Sequence, residues 1–255
     1  MDLLAPSHWR TLDIISDVHL YEQDRPTYAA WRDYLRQCPA DALFILGDLF
    51  EVWVGDDAMP GVGSLEHDCV AELRRCASQR TVFFQPGNRD FLVGDALLQW
   101  AGMQRLPDPT TLVFAGTRIV LSHGDSLCTD DLPYQRFRSE VRSHHWRREF
   151  LGKSVPERRD IARAIRQASE DGKRTRENYV DVNAEAVDAL LDTEQASTLV
   201  HGHTHEGATH RTVSGKLRVV LSDWSASSAP PRLEVLRICS AAGNAGPSIR
   251  RLPLA

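Results

Sequence analysis

Histidines, aspartates and one asparagine recur in five short blocks, each of which follows an apolar run. The blocks read Asp17-Val18-His19, Gly47-Asp48, Gly87-Asn88-Arg89-Asp90, His123-Gly124-Asp125 and Gly202-His203-Thr204-His205. A single aspartate or histidine after a strand is usually a turn residue, but that explanation is hard to apply to five such blocks. Carboxylate, imidazole and amide groups without a thiolate suit Mn²⁺ and tolerate Fe²⁺, Co²⁺, Mg²⁺ or Zn²⁺. The pattern therefore predicts a metal site.

The size of this ligand set predicts two metal ions that share a carboxylate. The candidate ligands, which are also the candidate catalytic residues, are Asp17, His19, Asp48, Asn88, His123, His203 and His205. Seven side chains are too many for one ion. Two adjacent divalent ions can clamp the attacking and the leaving oxygen at a phosphorus atom and activate water, so no protein nucleophile is needed.

Arg89 follows the candidate ligand Asn88 and is a further catalytic candidate. A guanidinium cannot act as a proton donor, but it can hold a phosphate with two parallel hydrogen bonds. The leaving group of a phosphoanhydride is itself a phosphate that needs little protonation. Arg89 therefore favours a pyrophosphate substrate over an alkyl phosphodiester, and an ion pair with Asp90 is its structural alternative.

Short apolar runs alternate with helical patterns and predict an α/β fold. The predicted strands are 11–16, 42–46, 81–85, 111–115, 117–122, 198–201, 218–221 and 233–238, and the predicted helices of the first half are 27–37 and 64–78. Ligands gather beyond the carboxyl ends of strands in such sheets, so the five blocks are expected to converge. The second half of the chain favours more antiparallel pairing.

Residues 132–191 lack strand signals and predict a helical lid inserted into a core of residues 1–131 and 192–255. Residues 132–176 carry thirteen Lys or Arg and six Asp or Glu, a net +7, although the whole chain is −5. An amphipathic lid can simply bury one face on the core. It can also cover a ligand with anionic and apolar parts, and the candidates for an apolar cleft are Phe137, Val141, Trp146, Phe150 and Leu151.

The composition is that of a globular protein, with 42% apolar and 25% charged residues. No apolar run approaches the length of a membrane span, and no secretory signal is recognised, which favours the cytoplasm. Five cysteines without a CxxC pair fit reduced thiols. A monomer with no obligate protein partner is expected.

The five blocks, in this order, resemble the calcineurin-like metallophosphoesterase superfamily. Residues 47–57, 87–92 and 123–131 are further similar to the UDP-2,3-diacylglucosamine diphosphatases of lipid A biosynthesis, within a resemblance that covers about 11–224. It implies a four-layered α/β/β/α sandwich and two Mn²⁺ ions bridged by Asp48. It also implies that one ion is completed by Asp17, His19 and His205, and the other by Asn88, His123 and His203.

The same resemblance implies a substrate and its contacts. UDP-2,3-diacylglucosamine would be cleaved to UMP and 2,3-diacylglucosamine 1-phosphate, known as lipid X, by water attacking the α-phosphorus. The implied substrate-binding residues are Asn88, Arg89, Asp131, Tyr134, Ser169, Lys173, Arg176 and His203. A basic, partly apolar lid also suits an anionic membrane surface, which implies a peripheral location on the cytoplasmic face of the inner membrane.

Three other functions stay open at this point. The first is hydrolysis of a different nucleotide anhydride or phosphodiester, which would not need an apolar lid cleft. The second is a scaffold without catalysis, although such a protein would be expected to have lost several of the seven ligands. The third is a nucleic-acid enzyme, which the basic lid suggests, but the chain lacks a recognisable nucleic-acid module and we expect no nucleic-acid partner.

Overall fold

The computed structural model describes residues 2–59, 61–175, 181–240 and 246–254, without the side chains of 168–175. Its strands are β1 Asp2–Leu4, β2 Thr11–Ile15, β3 Ala42–Leu46, β4 Thr81–Gln85, β5 Gln104–Arg105, β6 Thr110–Phe114, β7 Thr117–Ser122, β8 Thr198–His201, β9 Ala208–Arg211, β10 Leu217–Val220, β11 Glu234–Cys239 and β12 Ser248–Pro253. Its α-helices are α1 Arg25–Gln37, α2 Leu65–Ala77, α3 Asp95–Ala101, α4 Leu132–Val141, α5 His144–Leu151, α6 Val155–Thr175 and α7 Ala184–Thr193. Short 3₁₀ helices span Asp56–Ala58 and Asp125–Leu127.

Two six-stranded sheets pack face to face. The strand order is β12-β11-β2-β3-β4-β5 in the first sheet and β1-β6-β7-β8-β10-β9 in the second. Alternate side chains of the central strands, such as Ile14 and Phe44 from the first sheet and Leu121 and Val200 from the second, form a buried apolar layer between the sheets. Apolar burial of this kind is the main force that holds such a sandwich together.

Helices cover the outer face of each sheet. Leu35 of α1, Leu73 of α2 and Leu97 of α3 pack against the outward residues of the first sheet, including Ile45. Val187 and Leu191 of α7 pack against Val120 and Leu199 of the second sheet. The predicted four-layered α/β/β/α arrangement is therefore confirmed.

The second sheet mixes parallel and antiparallel pairs. The hairpin β6-β7 and the pair β9-β10 are antiparallel, as expected, but β7-β8 and β8-β10 are parallel. The second half is nevertheless more antiparallel than the first, as predicted, because the pairs β6-β7, β9-β10, β11-β12 and β2-β11 are antiparallel, whereas β2-β3, β3-β4 and β4-β5 are parallel. Strands β7 and β8 are parallel because the connection between them runs through the helical segment. A crossover of that length returns the chain in the same direction. The short strands β1, β5, β9 and β12 and helix α3 were also not predicted.

A buried arginine anchors the longest helix of the predicted lid to the core. Arg158 of α6 is 1% exposed, donates to the Val54 carbonyl oxygen at 2.7 Å and forms an ion pair with Asp57. Nearby, Phe150 of α5 is buried in the outer core of the first sheet and Trp146 packs against it. The lid boundaries at 132 and 191 stay a prediction, and α7 contributes to the outer layer of the second sheet.

Replacing Asp57 by alanine is expected to lower the free energy of unfolding by about 1–3 kcal/mol, because it leaves a buried guanidinium without its carboxylate. Urea denaturation measures this. Asp160→Ala is the matched control, since it removes the ion pair with Arg163 on the same helix, where both side chains are more than 70% exposed. The control is expected to change stability by no more than about 0.5 kcal/mol. Equal losses in both variants would contradict the anchoring role.

Candidate metal centre

The loops that follow β2, β3, β4, β7 and β8 bring all seven predicted ligands to one edge of the sandwich. Five of these residues have a left-handed backbone, with φ between 51° and 66°: Asp17, His19, Asp48, His203 and His205. Residues other than glycine rarely adopt this conformation. Such strain persists only where the surrounding structure enforces it, and it concentrates at functional sites.

Asp17, His19 and His205 form a first group of potential ligands. Asp17 Oδ1 lies 3.2 Å from His205 Nε2 and 3.9 Å from His19 Nε2, and the two histidine Nε2 atoms are 3.3 Å apart. Asp17 is fully buried, and its Oδ1 makes no well-aligned hydrogen bond. Two imidazole nitrogens and a carboxylate oxygen that face one another at this distance can hold one divalent cation.

A second group adjoins the first. His123 Nε2 and His203 Nδ1 each lie 2.9 Å from Asn88 Oδ1, and His123 Nε2 lies 3.7 Å from Asp48 Oδ1. Potential ligand atoms of Asp17, Asp48 and His123 all lie within 4.8 Å of one another, so Asp17 is common to both groups. The bridging role of Asp48 stays a prediction. The two adjoining groups are consistent with two neighbouring cations.

The electrostatics of the centre fit cations. Burial works against a charged His123, but the carboxylates of Asp48 and Asp17 overcome it and raise the pKa of this imidazole to about 9. Burial and the neighbouring His123 lower the pKa of His203 to about 3. His123 Nδ1 lies 2.9 Å from the Leu46 carbonyl oxygen, and an N–H there turns Nε2 toward the centre. Buried carboxylates and imidazoles that face one another form a set of ligand atoms suited to divalent cations.

Asp90 fixes the two loops that present Asp48 and Asn88. Its buried carboxylate accepts from the backbone N–H of Leu49 at 2.8 Å, Gly87 at 2.8 Å and Asp48 at 3.3 Å. The alternative ion pair between Arg89 and Asp90 is therefore wrong, because Arg89 Nη1 instead lies 3.7 Å from Glu51 Oε1. No local residue pattern indicates this role, since the bonds depend on how two distant loops fold together.

Asp125 connects the centre to helix α4. Its buried Oδ2 accepts from Tyr134 Oη at 2.8 Å, Arg138 Nε at 2.8 Å and Arg142 Nη2 at 3.0 Å. The Tyr134 ring lies against the His203 ring with centroids 5.8 Å apart. Burial, followed by the charge of Asp125, raises the pKa of the Tyr134 hydroxyl well above its usual value. Tyr134 therefore stays a hydrogen-bond donor next to a candidate ligand.

The other predicted lid residues occupy different environments. Asp131 caps α4 by accepting from the Tyr134 N–H at 3.2 Å. Val141 and Phe150 are buried, Trp146 stacks on Phe150 with centroids 4.6 Å apart, and Phe137 and Leu151 are exposed. The side chains of Ser169 and Lys173 and the whole of Arg176 lie outside the described residues. The apolar cleft and the substrate contacts stay predictions.

The family model of the calcineurin-like phosphoesterases matches residues 10–207, which include every candidate ligand. Together with the sandwich and the two ligand groups, this match defines the chain as a calcineurin-like phosphoesterase, as its motifs implied. Three curated relatives define the family within this class more closely. All three carry the name UDP-2,3-diacylglucosamine hydrolase.

The relative from Aromatoleum aromaticum is 43% identical over 217 residues, which is 82% of this chain and 87% of the relative. The one from Azotobacter vinelandii is 42% identical over 222 residues, with 83% and 90% covered. The one from Chromohalobacter salexigens is 37% identical over 236 residues, with 86% and 95% covered. The chain belongs to the UDP-2,3-diacylglucosamine hydrolase family.

Proposed function

We propose that this protein hydrolyses the pyrophosphate bond of UDP-2,3-diacylglucosamine to UMP and 2,3-diacylglucosamine 1-phosphate in lipid A biosynthesis. The single observation that carries the proposal is the convergence of all seven candidate ligands beside Arg89. The chain that contains this site is 37–43% identical to relatives named for this substrate. A phosphate-binding arginine next to two ligand groups suits an anhydride that joins two phosphates.

Two Mn²⁺ ions are the proposed cofactors, and Asp48 would be a ligand of both. When bound, such a pair neutralises charge that develops on phosphoryl oxygens and lowers the pKa of water. Asp17, His19 and His205 would hold one ion, and Asn88, His123 and His203 the other. Fe²⁺, Co²⁺, Mg²⁺ or Zn²⁺ could substitute in this mixed oxygen and nitrogen set.

The remaining residues of the centre position the substrate. Arg89 would hold a phosphate, and its backbone N–H donates to Asp48 Oδ1 at 2.8 Å, which places the arginine directly beside the centre. Tyr134 would limit the space over His203, because its ring lies against that imidazole. Attack by water at the α-phosphorus completes the proposal, so that the oxygen of the water enters UMP and 2,3-diacylglucosamine 1-phosphate is the leaving group.

Hydrolysis in water labelled with oxygen-18 tests the position of attack. Mass spectrometry of the products is expected to find the label in UMP. Label in the lipid phosphate would refute attack at the α-phosphorus while leaving the hydrolase itself in place.

Peripheral binding to the inner membrane is proposed from the surface of the lid. Leu132, Phe137 and Leu151 are exposed large apolar residues, and the exposed bases Arg136 and Lys153 lie near them in the chain. Bases and apolar side chains together favour an anionic membrane surface. Among the described residues, no helix combines the length and apolar character of a membrane span.

Sedimentation with vesicles tests the proposed membrane binding. The protein, proposed to act as a monomer, is expected to bind vesicles that contain phosphatidylglycerol more strongly than vesicles of phosphatidylcholine, and to release them at high salt. Equal recovery with both lipids would contradict a contribution from the basic lid.

Arg89→Ala is expected to raise KM for the substrate about 10- to 100-fold, since it removes hydrogen bonds to a charged phosphate. Mn²⁺ binding should be retained, because the backbone N–H that Asp48 accepts from is still present. Steady-state kinetics and a Mn²⁺ titration measure the two effects. Arg105→Ala is the control, as this arginine pairs with the exposed Asp95 outside the centre. Wild-type KM in Arg89→Ala would exclude phosphate binding by this side chain.

A further inference from the structure

Glu51 is held beside the candidate metal centre by backbone pairing between two ligand loops. Past the ends of β2 and β3, Leu20 N donates to Leu49 O at 2.8 Å, and Glu51 N donates to Leu20 O at 3.2 Å. Leu20 and Phe50 form a further parallel bridge. The Glu51 side chain is only 12% exposed. The loops that present His19 and Asp48 therefore also fix the position of Glu51.

The Glu51 carboxylate faces the side of His19 that points away from the other ligands. Its Oε2 lies 3.2 Å from His19 Nδ1. On the opposite side of the ring, His19 Nε2 lies 3.3 Å from His205 Nε2 and 3.9 Å from Asp17 Oδ1. His19 Nδ1 is buried and makes no well-aligned hydrogen bond within the described ranges, and the acceptor that lies beside it is Glu51 Oε2 at 3.2 Å.

The second carboxylate oxygen of Glu51 is surrounded by positive charge. Oε1 lies 2.8 Å from Arg166 Nη1 of α6 and 3.7 Å from Arg89 Nη1. Two guanidinium groups favour the ionised carboxylate, so Glu51 can act as an acceptor toward His19. The same carboxylate joins a helix of the predicted lid to the edge of the centre.

We propose that Glu51 is a positioning residue that accepts the Nδ1–H of His19 and so directs Nε2 of that imidazole toward the metal. This inference rests on the proposed metal centre. A metal-binding histidine usually donates its other ring N–H to a carboxylate or carbonyl, which fixes the tautomer and the orientation of the ring. In this role Glu51 would act through His19, whose Nδ1 lies 3.2 Å from its Oε2.

The test is a Mn²⁺ titration of the full-length, metal-free protein, with free Mn²⁺ quantified by electron paramagnetic resonance. Glu51→Ala and Glu51→Gln are expected to raise the Kd of one Mn²⁺ about 10- to 100-fold, with the smaller effect for Gln. The other Mn²⁺, bound through Asn88 and His123, should keep its affinity. Circular dichroism verifies the fold of each variant. If Glu51→Ala does not fold, the Mn²⁺ titration of Glu51→Gln tests the proposal.

Glu72→Gln is the matched control for loss of a shielded carboxylate. Glu72 is 11% exposed and pairs with two arginines, Arg36 and Arg75, but it lies on α2 outside both ligand groups. This variant should titrate as wild type. An equal loss of Mn²⁺ affinity in Glu72→Gln and Glu51→Gln would overturn the assignment.

A double mutant separates positioning from a general electrostatic effect. In a His19→Gln background, Glu51→Gln should cause no further loss of Mn²⁺ affinity, because the group that Glu51 orients is gone. Wild-type affinity for both ions in the Glu51 variants, or a full additional loss in the double mutant, would overturn the proposal. Because the titration uses Mn²⁺ alone, its outcome is independent of whether the lipid substrate is cleaved.

Discussion

Replacement of Asp48 by alanine is expected to abolish binding of both Mn²⁺ ions and to reduce the rate of UMP release more than about 10³-fold. This loss of rate is larger than the usual effect of removing one preorganised group. Asp48 is 1% exposed, and its Oδ1 lies 3.7 Å from His123 Nε2. The same oxygen accepts the Arg89 N–H. The variant thus loses a candidate bridging ligand and the acceptor that holds the Arg89 backbone.

A Mn²⁺ titration and a UMP assay at saturating Mn²⁺ measure both consequences. Asp13→Asn is the control, because Asp13 is an equally buried carboxylate of β2 that pairs with Arg237 and accepts from Tyr34, outside both ligand groups. It should bind two ions even if its stability falls. Near wild-type turnover in Asp48→Ala would mean that the ligand assignment is incorrect.

Gly87→Ala is expected to disrupt the centre without changing any candidate ligand. A Cβ on Gly87 would overlap the carboxylate of Asp48 and approach its backbone nitrogen to 2.5 Å. Because this contact involves backbone and a buried side chain, the loop that carries Asn88 must shift. Displacement of a reacting group by about 1 Å can cost about 10²-fold in rate, and we expect a loss of at least this size together with weaker Mn²⁺ binding.

Gly61→Ala is the matched control, since a Cβ there has nothing within 4 Å. Circular dichroism should show both variants folded, and only Gly87→Ala should lose activity. Full activity in Gly87→Ala would indicate that the close approach to Asp48 is not needed for the function.

The convergence of the ligand blocks could be predicted because it follows from a general property of parallel sheets. Strands β3 and β4 occupy the predicted residues 42–46 and 81–85, and their apolar runs stand out because both faces of the sheet are buried. Each block then begins where its strand ends. Strand pairing alone places Asp48 and Asn88 at the same edge.

The pairing of the second sheet and the supporting residues could not be predicted in the same way. Glu51 and Asp90 act through contacts between loops that lie far apart in sequence, and no local pattern encodes such contacts. In the lid, the amphipathic pattern identified apolar residues but not their partners. Trp146 and Phe150 pack against the first sheet's outer core, whereas Phe137 and Leu151 are exposed.

The most direct test of the proposed function is a comparison of three substrates with purified protein and Mn²⁺. UDP-2,3-diacylglucosamine and UDP-N-acetylglucosamine would be assayed for UMP release, and bis-p-nitrophenyl phosphate for nitrophenol release. Rapid cleavage of the diacylated substrate alone is the predicted result. Rapid cleavage of the other two without the lipid substrate would contradict the role in lipid A biosynthesis and leave a phosphoesterase of different specificity.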